Sequence, residues 1–435
     1  MQDIFDIIEK VAGDVTPTKD ERKKLERAVR TVKERLDAAG IKYEIGGSYA
    51  RDTWLSGDAD VDFFMVYPPE LGAENINMRG LQDAERAMEG FPYWKRYAEH
   101  PYLEGRVKGV TVNLVPCADT EKGNWITSMD RSRFHTLILN QLLNDELKKQ
   151  TRVLKSFLKA NGIYGAEIRI GGFSGYVTEI LTVKYGSFIE VLNRAKDWKR
   201  GTIISLSNDI AVNDFNTPII IIDPVDNNRN LAAAIKPSNI AKLQLLAGMF
   251  LEKPSIFYFK RRIAKFNKSF TPNTVSVIFK APNKVEEIRW SEYMKTCNAI
   301  LNELDREGFG PITYSIFESN GWTSLTFLVT FTNSQIKVKT GPPAENIKAS
   351  LEFIKTNNNI FVGNDMKVYS VIKRKAKNVQ LAVRNALKRP VEIGIAKGLL
   401  ESIKAAKVVT FSPELKDMEY FSAINGSLNE IFYAI

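Results

Sequence analysis

A glycine-serine turn followed closely by two aspartates constrains this chain more than any other feature. The turn occupies residues 46–48, and Asp60 and Asp62 lead into the apolar run 63–67, which predicts a buried strand. Because side chains alternate along a strand, Asp60 and Asp62 should lie on one face of it. Two adjacent carboxylates repel each other unless a cation lies between them. Mg²⁺ fits this role, since it prefers hard oxygen ligands and also binds phosphates.

The residues of the turn suit a triphosphate. The backbone N–H groups around Gly47 and the hydroxyl of Ser48 can hold phosphate oxygens, and Arg51 can add a bidentate contact. Each signal alone is weak, because paired acids at a strand end are usually solvated and glycine-serine turns are common. Their combination before a buried strand favours nucleotidyl transfer.

Residues 47–63 read GSYARDTWLSGDADVDF, which resembles the signature of the archaeal-type (class I) CCA-adding tRNA nucleotidyltransferases. These enzymes belong to the polymerase-β-like nucleotidyltransferase superfamily. The similarity continues through later segments and covers about the first 250 residues densely and the rest in outline; these segments are 97–102, 115–117, 155–167, 172–176, 223–226 and 229–230.

The resemblance implies an α+β, multidomain protein. We expect a polymerase-β-like nucleotidyltransferase head over residues 1–136 and a mostly helical neck with base and ribose contacts over 137–254. A ferredoxin-like, RNA-binding body with a basic tail should occupy 255–435. In the body, a helix near 345–355 and a strand near 368–372 are expected to complete a βαββαβ unit, with a hairpin turn at Asn320-Gly321.

Composition agrees with a protein that binds a polyanion outside the secretory pathway. A chain of 435 residues is too long for a single hydrophobic core of ordinary size, so more than one domain is expected. The net charge of +10 favours a nucleic acid or an acidic membrane as partner. Cys117 and Cys297 have no metal-ligand spacing, which argues against a disulfide framework or a zinc site. The apolar runs are too short to span a bilayer, so we expect a cytoplasmic protein without a membrane partner.

The stretch from 367 to 407 is rich in basic residues, which we interpret as an RNA-binding tail. A run of charge is more often a solvated face than a binding site, but here it follows a predicted RNA-binding sheet. The candidate RNA contacts are Lys373, Arg374, Lys375, Lys377 and Arg384.

The resemblance also implies the nucleotide contacts. Ser48 and Arg51, beside Gly47, would bind phosphates. His135, Lys155 and Tyr164 would contact the triphosphate or the ribose, with His135 protonated. Arg229 would recognise the base; a guanidinium can donate to O2 and N3 of cytosine or to N1 of adenine. His100, the other histidine, is expected to be structural.

The third metal ligand departs from the family pattern. Two Mg²⁺ ions are expected during catalysis, held by Asp60, Asp62 and a third acid on the neighbouring strand. Asn113 stands where the family has that aspartate. An amide oxygen can coordinate Mg²⁺ but brings no charge and cannot act as a base. Either Asp119 or Glu104 compensates, or the chain reacts slowly and Asn113→Asp raises nucleotide incorporation by orders of magnitude.

The leading interpretation is an enzyme that adds and repairs the 3′-terminal CCA of tRNA. Its partners would be the tRNA acceptor end, CTP and ATP, and a homodimer is left open. The alternatives are a poly(A)-polymerase-like transferase and a tRNA-binding protein whose catalysis is impaired by Asn113. The sequence has no Walker-type Gly-Lys-Ser/Thr loop, which makes a P-loop kinase or ATPase the poorer explanation.

Overall fold

The computed structural model describes residues 4–97, 100–207, 215, 217–261 and 272–431. The chain forms two compact units, one up to residue 262 and the other from 263 to 434. This division lies shortly after the predicted boundary at 254. The boundary predicted at 136 falls inside a helix of the first unit, so where a head ends and a neck begins stays a prediction. Residues 98 and 99 of the segment 97–102 lie outside the described residues.

The first unit contains the elements that carry the candidate site. In chain order they are α1 (Ile4–Val15), α2 (Lys19–Ala38), β1 (Tyr43–Gly46), α3 (Gly47–Ala50), β2 (Asp60–Tyr67), α4 (Gly72–Ala87), β3 (Tyr93–Tyr97), β4 (Pro101–Val107), β5 (Val110–Ala118), α5 (Asp130–Leu142), α6 (Asp145–Ala160), α7 (Gly175–Tyr185), α8 (Phe188–Ala195), β6 (Thr202–Ile204), β7 (Ile219–Ile221) and α9 (Pro237–Glu252).

Five strands form a mixed sheet in the order β1-β2-β5-β4-β3. Strands β2 and β5 are parallel neighbours, and the other pairs are antiparallel. Helices α2 and α4 contribute to the core that buries Val61 and Phe63 of β2 and Val112 of β5. The predicted mixed α/β head is therefore confirmed. The alternating apolar residues over 107–115 would suit a single strand, but a turn at Lys108-Gly109, with φ of 50° and 76°, divides β4 from β5.

The rest of the first unit is mostly helical, as predicted, around a core that includes Phe157, Phe188 and Phe250. The stretches 137–158 and 175–192, whose apolar pattern would suit one continuous helix each, are each divided in two. Asn144 accepts a hydrogen bond from the backbone N–H of Leu147 and so begins α6 separately from α5. Gly186, in the left-handed region, ends α7 before α8 begins. Apolar periodicity runs through both breaks, and only the capping residues mark them.

The second unit contains a further set of helices and strands. They are β8 (Thr274–Lys280), α10 (Glu286–Arg306), β9 (Pro311–Ser319), β10 (Trp322–Val329), β11 (Ile336–Pro343), α11 (Ile347–Thr356), β12 (Ile360–Val362), β13 (Lys367–Lys373), α12 (Val379–Leu387), α13 (Pro390–Ile393), α14 (Leu400–Lys404), β14 (Lys407–Thr410) and α15 (Phe421–Ile431). Within the ranges that the structure describes, no helix of either unit is long and apolar enough to cross a membrane.

The main sheet of the second unit has the antiparallel order β14-β8-β10-β9, the strand order of a ferredoxin-like βαββαβ unit. The hairpin between β9 and β10 turns at Asn320-Gly321, as predicted, with φ of 52° and 75°. The predicted members of the second half are wrong. Helix α11 and strand β13 belong to an inserted part with a separate sheet, β11-β13-β12, whereas α12 and β14 occupy the expected places. The predicted basic tail is thus part of the body, since β14 is an edge strand of its sheet.

Candidate active site

The two aspartates and Asn113 meet at one edge of the parallel pair β2–β5. The strand register places Asp62 directly beside Asn113. Val61 is fully buried, whereas Asp60 is exposed and Asp62 is half-buried, so both carboxylates lie on the face opposite the core, as predicted. The Asn113 Nδ2 donates to Asp62 Oδ1 at 2.8 Å and lies 3.5 Å from Asp60 Oδ2. The Asn113 Oδ1 is buried without a hydrogen-bond partner.

This arrangement raises the pKa values of both aspartates. Loss of hydration and the neighbouring charge of Asp62 raise the pKa of Asp60 to about 6. Burial also raises the pKa of Asp62, although the amide of Asn113 and the charge of Arg51 oppose the increase. A bound cation would relieve this cost of ionisation.

The donor set fits a magnesium ion that arrives with a nucleotide. Mg²⁺ commonly binds to one or two carboxylates together with substrate phosphates, and the unpartnered Oδ1 of Asn113 offers one more hard oxygen. Among the described residues, no group of three or more His, Cys, Asp or Glu side chains is placed to hold a metal ion.

The glycine turn packs directly against this pair. Gly46 pairs with Asp62 across β1 and β2, and Gly47 begins α3 with φ of 68°. A Cβ atom on Gly47 would lie 2.0 Å from Asp62 Oδ2, so only glycine allows this close approach. Ser48 follows on α3 and Arg51 directly after it. The structure therefore brings the predicted triphosphate turn against the predicted metal ligands.

Arg51 and Lys155 share a buried carboxylate that sequence reasoning missed. Arg51 Nε donates to Glu179 Oε2 at 2.7 Å, and Lys155 Nζ donates to Glu179 Oε1 at 2.9 Å. Burial disfavours the ionised form of Glu179, but the two cations outweigh this effect and hold its pKa below the ordinary value. Lys155 also donates to the carbonyl and hydroxyl oxygens of Thr53, each at 3.0 Å. These bonds use all three of its N–H donors, so the expected phosphate contact of Lys155 is not available in this conformation.

A second missed carboxylate, Asp223, organises the other predicted contacts. His135 Nε2 lies 3.0 Å from Asp223 Oδ2, which also accepts from Arg229 Nη1 at 3.1 Å. The hydroxyl of Tyr176 donates to Asp223 Oδ1 at 3.1 Å, and its ring stacks on His135 with centroids 3.9 Å apart. Burial lowers the pKa of His135 below its ordinary value of 6.5 despite Asp223. Burial therefore favours the neutral imidazole, and the contact of a protonated His135 with the triphosphate stays a prediction.

Glu179 could have been recognised from the sequence as a buried carboxylate, because it is the one acid in the mostly apolar helix α7. Asp223 gave a weaker signal, since an acid directly after the buried strand β7 could also be solvated. The role of Asp223 rests on its contacts with Arg229, six residues away, and with His135, 88 residues away in the sequence.

Tyr164 and a cavity complete the site. The Tyr164 hydroxyl and Lys155 Nζ both lie near Gly175, at 3.1 and 3.7 Å from the position of an added Cβ, at the start of α7. A cavity of about 490 Å³ lies between the loops that follow β5 and β7. One of these loops leads directly into Arg229. The residues that line the cavity are Lys122, Gly123, Trp125, Val225, Asp226, Asn227 and Asn228.

His100 is structural, as predicted. Its side chain is buried, and its Nε2 lies 2.8 Å from the carbonyl oxygen of Pro116. Asp119, one of the two acids considered as a replacement for position 113, is paired with Lys42 and Arg133 beyond the end of β5.

The predicted RNA contacts divide by burial. Arg384 and the lysines Lys373, Lys375 and Lys377 are exposed. Arg374 is only 8% exposed; it donates to the carbonyl oxygen of Gly308, and its guanidinium lies 4.2 Å from the ring centre of Phe309. This burial disfavours Arg374 as an RNA contact, which stays an untested prediction. Alternation along the segment turns the lysines outward and Arg374 inward.

Comparison with known families covers most of the chain. The model described as "Nucleotidyltransferase domain" matches residues 25–135, and "tRNA nucleotidyltransferase, second domain" matches 149–260. The model "CCA-adding enzyme, C-terminal domain" matches 271–410. These matches fall in the order of the predicted head, neck and body.

Individual relatives extend over nearly the whole length. The CCA-adding enzyme of Saccharolobus islandicus (strain M.14.25 / Kamchatka #1) is 32% identical over 411 residues, which are 93% of this chain and 98% of that protein. The CCA-adding enzyme of Archaeoglobus fulgidus is 34% identical over 367 residues, or 81% of this chain and 82% of that protein.

The solved structure of the Cid1 poly(U) polymerase, with Mg and 3′-dATP bound, supports the fold. It aligns with a TM-score of 0.50 at 12% identity and covers 60% of this chain and 99% of that one. At this identity the likeness concerns the fold alone, which is that of polymerase-β-like nucleotidyltransferases. The near full-length relatives carry the assignment further, and by them this chain belongs to the family of CCA-adding enzymes.

Proposed function

We propose that this protein adds and repairs the 3′-terminal CCA of tRNA, using CTP and ATP without a nucleic-acid template. The observation that carries the proposal is the close packing of the Gly47 turn against Asp62 and Asp60, in a chain related over 93% of its length to a CCA-adding enzyme. A turn that binds triphosphate and a pair of carboxylates that binds its counter-ion must be adjacent for nucleotidyl transfer.

In this reaction the 3′-hydroxyl of the RNA attacks the α-phosphate of the nucleotide. A P–O bond forms to the RNA, the bond to the β-phosphate oxygen breaks, and pyrophosphate leaves. Asp60, Asp62 and the Oδ1 of Asn113 are the residues that would hold Mg²⁺. When bound, two such ions would neutralise the phosphate charge and favour ionisation of the attacking hydroxyl. The backbone of Gly47 and the hydroxyl of Ser48 would hold the triphosphate.

The nucleotide base would occupy the cavity beside Arg229. Asp223 accepts a hydrogen bond from Nη1 of Arg229 and so limits the orientations of the guanidinium, which is 46% exposed. Its remaining donors suit O2 and N3 of cytosine or N1 of adenine. Bases that present an N–H group at these edges would be disfavoured. The neutral His135, stacked on Tyr176, would position rather than neutralise the nucleotide.

The exposed lysines of the second unit would contact tRNA phosphates. Lys373, Lys375 and Lys377 alternate with the buried Arg374 and Ala376, so all three are exposed, which suits an electrostatic contact without base recognition. The homodimer and the cytoplasmic location stay predictions.

The test uses tRNA transcripts that end at the discriminator base, at C or at CC, with labelled CTP and ATP supplied separately. We expect CTP alone to add two residues to the shortest transcript, and ATP alone to add one residue to the transcript that ends in CC. Asp62→Asn should reduce both additions at least about 100-fold, because the charge that holds the cation is lost.

Homopolymer tails from ATP alone would instead favour the poly(A)-polymerase-like alternative. Salt-sensitive binding of tRNA without incorporation under any divalent ion would favour a tRNA-binding protein with impaired catalysis. Glu190→Gln, on the exposed surface of α8, serves as the matched control and should leave both additions unchanged.

A further inference from the structure

We propose that Glu104 supplies the carboxylate that position 113 lacks, an inference that rests on the proposed nucleotidyl transfer. The strand register provides the starting point. Asn113 pairs with Asp62 across β2–β5 and with Glu104 across β4–β5. The three residues therefore form one row across the sheet, with Asn113 in the middle.

Glu104 lies on the same face of the sheet as the aspartates. Its neighbours Leu103 and Gly105 are buried against the core, whereas Glu104 is half-buried on the opposite face. Side chains directly opposite each other on neighbouring antiparallel strands have Cβ atoms about 4.5–5.5 Å apart. Glu104 is thus the next side chain beyond Asn113, and its extra methylene gives it a longer reach toward the centre of the row than an aspartate would have.

Asn113 provides a second, independent observation about this row. Its Oδ1 is a buried acceptor without a partner, while its Nδ2 donates to Asp62. Buried acceptors are normally satisfied. An amide oxygen flanked on one side by Asp62 and on the other by Glu104 is a donor set for a hard divalent cation.

In the present conformation an ion pair holds Glu104, and Glu104 is not grouped with Asp60 and Asp62 closely enough for the three to hold a metal ion. Arg96 Nη2 lies 2.7 Å from Glu104 Oε1, and Arg96 Nε lies 3.2 Å from Oε2. The two side chains are 35% and 26% exposed, so water screens this two-bond ion pair and makes it weaker than a buried one. A divalent cation can therefore compete with Arg96 for the carboxylate.

The other candidate acid is too far away. Asp119 follows the end of β5, six residues beyond Asn113, which corresponds to about 20 Å along an extended strand. It also pairs with Lys42 at 2.6 Å and with Arg133 at 3.2 Å. Of the two acids near position 113 in the sequence, the strand register selects Glu104.

The experiment compares Glu104→Gln with Glu85→Gln in the full chain. Glu85 is also a partly exposed glutamate in an ion pair, with Lys95 of β3 at 2.9 Å, but it lies on α4 and not on the site face. The readouts are single-turnover CTP addition to tRNA that lacks CCA, and Mn²⁺ binding by electron paramagnetic resonance in the presence of a non-hydrolysable CTP analogue. Thermal unfolding checks that each variant is folded.

We expect Glu104→Gln to slow addition at least about 100-fold and to weaken Mn²⁺ binding at least about tenfold, while Glu85→Gln changes neither. In the Asn113→Asp background the same substitution should slow addition less than about threefold, since the new aspartate replaces Glu104. Asn113→Asp alone should raise the rate less than about tenfold. Arg96→Gln, which frees Glu104, should keep the addition rate and strengthen Mn²⁺ binding.

Normal addition and normal Mn²⁺ binding by Glu104→Gln would overturn this inference and leave the proposed function standing. So would a wild-type chain that adds nothing until Asn113→Asp restores addition. Absence of addition by both the wild type and Asn113→Asp would instead remove the proposed function itself. If Glu104→Gln does not fold, Arg96→Gln decides alone, and unchanged Mn²⁺ binding in that variant contradicts the proposal.

Discussion

The ammonium nitrogen of Lys155 lies 2.9 Å from a carboxylate oxygen of Glu179, and both side chains are buried. Arg51 occupies the other oxygen of the same carboxylate at 2.7 Å. One glutamate on α7 therefore balances two cations, one that follows the glycine turn and one on α6. Removal of this carboxylate would leave both cations buried without their counter-charge.

Glu179→Gln should accordingly destabilise the first unit strongly. Removing one partner of a buried ion pair typically costs about 3–5 kcal/mol, because the remaining charge is left uncompensated. Urea unfolding at pH 7 measures the change in the free energy of unfolding. Glu190→Gln on the neighbouring helix is the control and should change this energy by less than about 0.5 kcal/mol. A loss below about 1 kcal/mol for Glu179→Gln would show that the carboxylate is not the counter-charge for Arg51 and Lys155.

Gly47→Ala should remove activity through a steric clash. The new Cβ would lie 2.0 Å from Asp62 Oδ2, and the backbone at φ of 68° is strained for any residue with a Cβ. Gly57→Ala is the matched control, because Gly57 has φ of 75° but nothing within 4 Å of the added atom. Both variants should lose about 1 kcal/mol of stability from backbone strain. Only Gly47→Ala should also lose at least about 100-fold in nucleotide addition, and equal activities would contradict the close approach.

Asp60→Asn should stabilise the protein without divalent ions, in a pH-dependent way. The pKa of Asp60 is raised from 3.8 to about 6 in the folded state, so the folded protein binds the proton of this carboxyl more tightly than the unfolded chain does. Stability therefore falls as the pH rises from about 4 to 6, and the full cost is present above pH 6. Because Asp60 is partly solvated, the expected gain for Asp60→Asn is on the order of 1 kcal/mol at pH 7.5.

Thermal unfolding in EDTA at pH 7.5 and at pH 4 measures this difference, and the gain should be largely absent at pH 4. Asp197→Asn is the control. Asp197 pairs with Lys196 on the surface, away from Asp60, so its replacement should give no gain at either pH. A gain for Asp60→Asn that is equal at the two pH values would exclude the raised pKa as its cause.

Glu21 should support the start of α2 only in its ionised form. Hydrogen bonds from the backbone N–H groups of Thr18 and Gly57 and from the hydroxyls of Ser56 and Thr18 outweigh partial desolvation and lower the pKa of Glu21 to about 2. The stabilisation is complete above the ordinary value of 4.5 and is lost as the pH falls from 4.5 to about 2. Glu21→Gln should thus cost about 1 kcal/mol at pH 7 and much less at pH 2.5, as measured by urea unfolding. An equal cost at both pH values would contradict this prediction.

Lys375→Ala and Arg374→Ala should change different properties: the first the salt dependence of tRNA binding, the second the melting temperature. Lys375 is exposed, so its loss should reduce the slope of log K for tRNA against log salt by about 1 and leave the melting temperature unchanged. Arg374 is buried against Phe309, and burial lowers the pKa of its guanidinium. Its loss should lower the melting temperature and leave the salt slope unchanged. Fluorescence anisotropy at several salt concentrations, with thermal unfolding, measures both effects. A change of salt slope in Arg374→Ala would restore it as an RNA contact.

The sequence by itself determined the elements that depend on local pattern. The alternation of Asp60, Val61 and Asp62 before an apolar run placed both carboxylates on one face, and the structure confirms it. The Asn320-Gly321 pair predicted a hairpin because both residues tolerate positive φ. The succession of helices and strands after residue 255 predicted a ferredoxin-like βαββαβ unit, although its last helix and strand were assigned to the wrong residues.

Only the tertiary structure decided which elements pair and which charges meet. Local pattern cannot tell whether β13 or β14 completes the sheet of the second unit, since strand pairing depends on contacts between residues distant in the sequence. It cannot show that Glu179 holds Arg51 and Lys155, because those partners lie 128 and 24 residues away. The same holds for the row of Asp62, Asn113 and Glu104, which exists only because three strands align in one register.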